Sequence, residues 1–346
     1  MMEHGDAEDT MMEHGDAEDT ILIIGATGFA GGALARELRS QSKPVRAMVR
    51  PDTDSDPSVL REIGVELVEG DITNREDVAR ACEGVAKAYN FASPFRSAKP
   101  SDQYFWDVNV GGVDHLVCAA QKHGLERFVH CSTIGVHGDV QEIPCHEESP
   151  LNPGDVYQET KVEGEQVVQN AFEEGARGVI MRPSSMYGPG DTRMLKLFRM
   201  VYNGVFVMFG SGEVWFHPAY IDDLVRGFLL CGKKEEALRE VFILAGPEPV
   251  YLSELVELVA GSVDVEPPRM QFPVEPLMMA AKACEAVCKP LGIEPPLHER
   301  RVGFFTKNRY FTYQKARRVL GYEPQVSHEE GMKRTAQWYF ENGYLG

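Results

Sequence analysis

Tyr157 and Lys161, four residues apart, are the side chains in this sequence best placed to move a proton together. Residues at i and i+4 project from one helical face, so both reach the same point. A phenol with a pKa of about 10 is a poor proton shuttle at neutral pH. A lysine one turn away, joined by the positive ring of an oxidised nicotinamide, favours the phenolate and lowers that value. Tyr157 then reads as the acid/base that protonates a carbonyl oxygen as hydride arrives, or removes a hydroxyl proton in reverse. Lys161 would also hold the nicotinamide ribose, and Thr133 would hydrogen-bond the reacting oxygen.

This chemistry needs a dinucleotide, and the stretch ILIIGATGFAGG, residues 21–32, reads as its seat. Ile21 to Ile24 predicts a buried parallel strand that runs straight into Gly25, Gly28 and Gly31. Glycines let backbone N–H groups approach a pyrophosphate, and the positive end of the following helix favours the anion. The helical pattern from Ala33 to Leu38 supplies the context that such a glycine motif requires.

Further strands are predicted over 45–49, 65–68, 86–92, 128–131 and 179–182, with helices over 75–82, 102–123 and 157–173 between them. The alternation predicts an α/β fold with a parallel, doubly wound sheet. Ser132 and Thr133 then lie at a strand's carboxyl end, where open α/β sheets bind ligands. After the second strand stands Arg50, and no acid is present at Val49 or Arg50 to bond a ribose 2′-hydroxyl. Arg50, with Arg46, therefore tilts the cofactor toward NADP over NAD. Asp71, beyond the third strand, would lie near an adenine; alternatively Asp71 and Thr73 simply cap the next helix.

The remaining segments predict a helix over 193–203, an extended run over 205–209, a helix over 222–230 and a late strand over 241–244. Helices and Pro-rich breaks from Pro249 on predict a smaller, mostly helical C-terminal substrate cap. The apolar segment 277–291 reads as a cap helix packed on the core in preference to a membrane-surface helix. Residues 21–182, with 214–245 returning to them, form the expected dinucleotide-binding domain; 183–213 and 246–346 form the cap. Residues 1–10 recur unchanged as 11–20, and this segment is expected to be disordered and no part of the fold.

The formal charge is −18, and the two N-terminal copies hold eight of the acids and no Lys or Arg, so the rest remains acidic at about −10. An acidic chain with scattered basic residues is a poor partner for nucleic acid. Seven cysteines without a C-x-x-C pair suggest reduced thiols in the cytoplasm. Cys284 and Cys288 share a helical face but lack a neighbouring His, so they read as packing, and no metal is expected. No signal peptide and no run of 18 apolar residues is evident, so a soluble protein without a membrane span is expected.

Taken with these motifs, the chain resembles the extended short-chain dehydrogenase/reductases, the NAD-dependent epimerase/dehydratase superfamily. The matching pieces are GATGFAG at 25–31, Gly70-Asp71-Ile72, Asn109-Val110-Gly111-Gly112, Ser132-Thr133, Tyr157 with Lys161, Arg182-Pro183 and Tyr187-Gly188-Pro189-Gly190-Asp191. The ending at 311–339 and the segment 273–311 look most like 3β-hydroxysteroid and sterol dehydrogenases. The resemblance implies a Rossmann-type sheet, a homodimer, and cofactor contacts from Gly25, Thr27, Gly28, Phe29, Ala30, Gly31 and Lys161. It also implies that Asp71 and Ile72 contact adenine, Ala92 lines the cofactor groove, and Pro183 and Ser184 flank the nicotinamide. Ser93, Thr133, Ser185, Arg193 and Phe216 are the expected substrate contacts.

Three functions compete. The first is a dehydrogenase or reductase of a secondary alcohol or ketone in a largely apolar, sterol-like molecule. The second is a nucleotide-sugar epimerase or dehydratase that retains NAD, and the third is a non-catalytic dinucleotide sensor. The proton-shuttle residues count against a sensor. Two departures count against nucleotide sugars: Ser185 stands where relatives of that kind carry Asn, and Phe216 stands where they carry an arginine that grips the diphosphate. Arg193 is the residue that would replace that grip, and Phe216, with Phe209 and Trp215, suits an apolar wall.

Overall fold

The computed structural model describes residues 20–51, 56–94, 101–288 and 295–346. The duplicated N-terminal segment, the turn at Asp52 and the end of the segment 277–291 lie outside the described residues. Six strands follow one another up to Pro183: β1 (Ile21–Ile24), β2 (Val45–Val49), β3 (Glu66–Glu69), β4 (Lys87–Asn90), β5 (Arg127–Cys131) and β6 (Gly178–Pro183). A seventh, Val241–Leu244, returns to pair with β6. The sheet order is Val241–Leu244, β6, β5, β4, β1, β2, β3, and every pairing is parallel.

Strand alternation splits the apolar run of β1 between two cores. Ile21 and Ile23 face a layer containing Leu34, Leu38 and Phe228 from helices Phe29–Ser40 and Ile221–Lys233. Leu22 and Ile24 face Leu116, Val117 and Val168 from helices Gly112–His123 and Val156–Glu173. Helices thus cover both faces, which is why the strands read as continuous apolar runs. The strand order reverses between β1 and β4, and open α/β sheets bind ligands outside the carboxyl ends of their strands at such a switch point.

The helix expected over 102–123 is interrupted. Asp102–Trp106 passes through a π turn, Asp107–Gly111, before Gly112–His123 resumes and ends at left-handed Gly124. Such turns place a residue where an unbroken helix would not, and here that residue is Asn109.

The rest of the chain combines helices with three short ribbons: Ser185–Tyr187 with Pro218–Tyr220, Trp215–Phe216 with Val250–Tyr251, and Met208–Phe209 with Gln271–Phe272. The extended run expected over 205–209 shrinks to Met208–Phe209. Helix Val274–Cys288 corrects the expectation of a helix packed on the core. Ala281 is its one buried side chain among the described residues, and Met279 and Val287 are exposed at 72% and 63%. Among the described residues, no helix is long and apolar enough to cross a membrane.

Candidate active site

The glycine loop closes the carboxyl end of β1. Gly25 has φ +86, and a Cβ there would lie 2.9 Å from Ala92 N, so only glycine lets β1 and β4 exit side by side. A Cβ on Gly31 would sit 2.4 Å from Gly25 O, which explains why the helix can start so close beneath the strand. Helix Phe29–Ser40 has no acid in its first turn and no side-chain cap on its N-terminal N–H groups. That end is therefore suited to an anion. Thr27 and Phe29 are half-buried and Gly28 is exposed, whereas the Ala30 side chain is packed into the core and leaves only its backbone to a ligand.

At the neighbouring strand ends, Arg50 is exposed and donates to Tyr104 Oη at 2.8 Å. Arg46 corrects the expectation that it helps Arg50. It pairs with Glu66 at 3.0 Å and donates to the Ala81 and Glu83 carbonyls, so it is committed near the opposite end of the strand. Asp71 accepts from the backbone and hydroxyl of Thr73, both at 2.8 Å, while Asn74 caps the following helix. The Ile72 side chain is buried against Gly112 and its carbonyl lies 3.0 Å from His115 Nδ1, so its side chain is not free for the implied adenine contact.

Helix Val156–Glu173 carries Tyr157 and Lys161, the expected acid/base pair. Asp155 caps it by accepting from Gln158 N at 2.9 Å. Tyr157 is half-buried, with its ring edge-on to Phe105 at 6.3 Å. Lys161, one turn on, is buried, and its Nζ donates to Cys131 O at 2.7 Å. Burial pulls its pKa below the ordinary lysine value, against the fields of Cys131 and Glu165. Cys131 ends β5, and the next two residues are Ser132 and Thr133. Thr133 Oγ accepts from Gly135 N at 3.0 Å at the start of the single turn Ile134–His137, so its hydroxyl proton remains available to donate.

Two residues in this neighbourhood were given no role from sequence. Asn109 is buried in the π turn, donates to Thr160 Oγ at 2.9 Å and accepts from Ser93 Oγ at 3.1 Å. Ser93, an expected substrate contact, is thereby tied to Asn109. Glu165 is buried behind Lys161 and forms a two-pronged pair with Arg182, with Nε 2.9 Å from Oε1. The same guanidinium reaches His137 Nε2 at 3.1 Å and Glu147 O at 2.8 Å. Glu165 follows Lys161 by one helical turn, so its spacing was the available signal.

Pro183 ends β6 and is buried, as is Ser184. Ser185 is half-buried in its ribbon. Arg193 pairs with buried Asp191 at 2.6 Å and lies 5.0 Å over the Phe29 ring, beside the glycine loop. Phe216 is buried edge-on to Phe304 at 5.1 Å, with the Arg309 guanidinium 4.6 Å over its ring. No group of three or more His, Cys, Asp or Glu among the described residues is arranged to hold a metal.

The residues fit a dinucleotide on structural grounds. The glycine cradle leaves room for backbone-to-phosphate approach. The buried Ser132 and Ser184 hydroxyls have no hydrogen-bond partner among the described residues. Buried polar groups are rarely left so, and a bound ligand is one way to satisfy them.

Residues 21–245 match the model of the NAD dependent epimerase/dehydratase family. The chain is similar to a 3-beta-hydroxysteroid dehydrogenase of Mycolicibacterium neoaurum, at 31% identity over 92% of this chain and 91% of that one. It is also similar to the decarboxylating sterol-4-alpha-carboxylate 3-dehydrogenase of Schizosaccharomyces pombe, at 30% identity over 92% and 96%. Among solved structures, that of gox2253 superposes with a TM-score of 0.82 at 27% identity, covering 95% of this chain and all of that one. The UDP-glucose 4-epimerase of Thermotoga maritima superposes at 0.75 with 21% identity, covering 93% and 99%, a likeness of fold alone.

Proposed function

Because the chain belongs to the NAD dependent epimerase/dehydratase family, we propose that it transfers hydride between a nicotinamide cofactor and a secondary alcohol or ketone of a largely apolar, sterol-like substrate. The observation that carries this reading is Lys161, buried and bonded to Cys131 O one helical turn from Tyr157 beside the glycine crevice. The bound cofactor supplies or accepts the hydride. Tyr157 gives or takes the proton at the reacting oxygen, and Lys161 favours its phenolate and orients the ribose. The free proton of Thr133 donates to the reacting oxygen, and Ser132 and Ser184 hold polar groups of the ligand. The similarity to steroid and sterol dehydrogenases and the burial of Phe216 among aromatic rings support the apolar substrate class.

NADP is the proposed preference, supported by the exposed Arg50 that follows the second strand and could accept a 2′-phosphate. The cysteines are all free thiols, which fits the reducing cytoplasm proposed as its compartment. A homodimer follows from the resemblance, and sedimentation velocity tests it. The catalytic reading is tested by following reduced nicotinamide absorbance with NAD and NADP against sterols, simple ketones and UDP-sugars. Turnover of a neutral hydroxysteroid or its ketone supports it. Micromolar calorimetric binding of UDP or UDP-glucose would instead establish the nucleotide-sugar alternative.

A further inference from the structure

Six ionisable side chains line a cavity of about 280 Å³ at the end of the sheet opposite the candidate active site: Lys87, Glu126, Arg127, Arg177, Lys233 and Glu235. Lys87 opens β4, Arg127 opens β5, and Arg177 stands one residue before β6. Lys233 ends the helix Ile221–Lys233, and Glu235 begins the single turn Glu235–Ala237. Because the strands are parallel, these amino ends lie together, away from the carboxyl ends that lead to Ser132 and Thr133. Four steps along β5, at about 3.3 Å each, put roughly 13 Å between Arg127 and Cys131.

Four cations meet two carboxylates there, and the pairing does not neutralise them. The Arg127 side chain is only 2% exposed. Its Nη1 donates to Lys234 O at 2.6 Å and Cys231 O at 3.2 Å, and its Nη2 donates to Glu235 Oε1 at 2.8 Å. Arg127 Nε is buried and has no hydrogen-bond partner among the described residues. Glu235 also serves Arg177, whose Nη2 lies 3.0 Å from Oε2, so one carboxylate is divided between two guanidiniums. Arg177 Nε donates to Glu126 O at 2.8 Å, and none of these bonds uses its Nη1. Lys87 Nζ lies 3.8 Å from Glu126 Oε2, beyond hydrogen-bond reach. Lys233 is exposed and forms no ion pair among the described residues. The wall therefore carries two positive charges in excess, in a chain whose formal net charge is −18.

We infer that this cavity is a second anion site, which takes a phosphate dianion either free or as the head of a small phosphomonoester. The excess of two charges matches the charge of a phosphate group near neutral pH. Arg177 offers the free edge of a guanidinium, and Lys87 and Lys233 supply ammonium donors that turn to meet phosphate oxygens. Buried Arg127 adds a fixed positive charge to the wall, where protein in place of water leaves its field less screened. The volume falls just below the range of about 300–1,000 Å³ for drug-sized sites, which suits one phosphate with a short body. The cavity shares no residue with the glycine loop or with Tyr157 and Lys161, so it stands apart from the oxidoreductase reading.

The test is calorimetric titration of the full chain with inorganic phosphate and with glycerol 3-phosphate, at neutral pH and fixed ionic strength. Saturating NAD, or NADP in a parallel set, is present throughout to occupy the glycine loop. Saturable one-to-one binding with a Kd of about 1 mM or below is expected for at least one of the two ligands. Tighter binding of inorganic phosphate supports the site as one for the free ion, and tighter binding of glycerol 3-phosphate supports it as one for an ester. The double variant Lys87→Gln with Lys233→Gln should weaken binding about tenfold or more. Glu235→Gln should tighten it, because the positive excess then rises from two charges to three. Rising ionic strength should weaken binding to the wild type, a readout that needs no variant to fold. Absence of saturation by either ligand at about 10 mM, or an affinity that the double lysine variant leaves unchanged, overturns the proposal.

Discussion

Lys161 Nζ donates to the carbonyl of Cys131 at 2.7 Å, and that carbonyl lies immediately before Ser132 and Thr133. One bond therefore fixes the helix that bears Tyr157 to the strand end that, on the proposed mechanism, would hold the reacting oxygen. Burial disfavours the lysine charge, so an adjacent negative phenolate gains stability from pairing with it. Tyr157→Phe is expected to reduce turnover by about a hundredfold to ten-thousandfold while leaving dinucleotide affinity near the wild-type value, because only the acid is removed. Lys161→Ala should lose both. Steady-state rates together with dinucleotide titration separate the two, and wild-type turnover in the Tyr157→Phe protein would remove it from the mechanism.

The π turn and the helix that bears Tyr157 meet at one glycine. A Cβ on Gly164 would lie 2.3 Å from the backbone oxygen of Asn109, which cannot swing away as a side-chain tip can. Gly164→Ala is expected to destabilise the fold by about 1–3 kcal/mol and to depress turnover by shifting the turn that bears Tyr157 and Lys161. Denaturant midpoints and kcat measure the two effects. A variant equal to wild type in both would show that the contact relaxes freely.

Glu165 and Arg182 are both almost fully buried and bonded through two prongs. Removing one partner strands the other's charge, so Glu165→Ala should cost about 3–5 kcal/mol. The double variant Glu165→Ala with Arg182→Met should be less destabilised than the sum of its singles. Additive losses in urea unfolding would mean that the pair is not coupled.

Local signals were legible in the sequence, and signals made by distant approach were not. The run Ile21 to Ile24 followed by Gly25 declares a strand and its turn within a few residues, as does the spacing of Tyr157 and Lys161. At the π turn Asp107–Gly111, Asn109 O lies against Gly164, a contact between separate helices. Arg46 seemed available for a phosphate until β2 paired with β3, which sets it opposite Glu66. Arg309 meets Phe216 only through the fold of the cap. The apolar character of Val274–Cys288 suggested burial, because composition records hydrophobicity but not whether a partner surface exists.

The cofactor preference has its own test at Arg50, which Tyr104 steadies at 2.8 Å. Arg50→Ala should weaken NADP binding by roughly tenfold to a hundredfold, the worth of a hydrogen bond to a charged group, and should barely change NAD binding. Fluorescence titration of reduced cofactors measures this. Equal wild-type affinities for the two dinucleotides would end the NADP reading.

Acid sensitivity follows from four buried histidines, His130, His137, His217 and His328, whose pKa values burial lowers in every case. Burial first, and then the Arg182 charge, hold His137 down to about 4; burial likewise lowers His217 to about 4. His137 Nε2 faces the Arg182 guanidinium at 3.1 Å, so it must be an unprotonated acceptor, with the proton assigned to Nδ1 toward Pro150 O. A second proton would set two cations against each other. In the unfolded chain the imidazoles of His137 and His217 both titrate near about 6.5, so between about 6.5 and 4 the unfolded state binds protons that the folded state refuses. Their stabilisation is complete above the unfolded value and is lost as pH falls through that window, by up to about 1.4 kcal/mol per histidine per pH unit. Urea midpoints between about pH 6.5 and 5, above the main titration of carboxylates, isolate this effect. His137→Gln keeps an acceptor for Arg182 but cannot be protonated, so its stability should fall less steeply with acid than that of the wild type. An unchanged slope would show that His137 is already free to take a proton in the folded state.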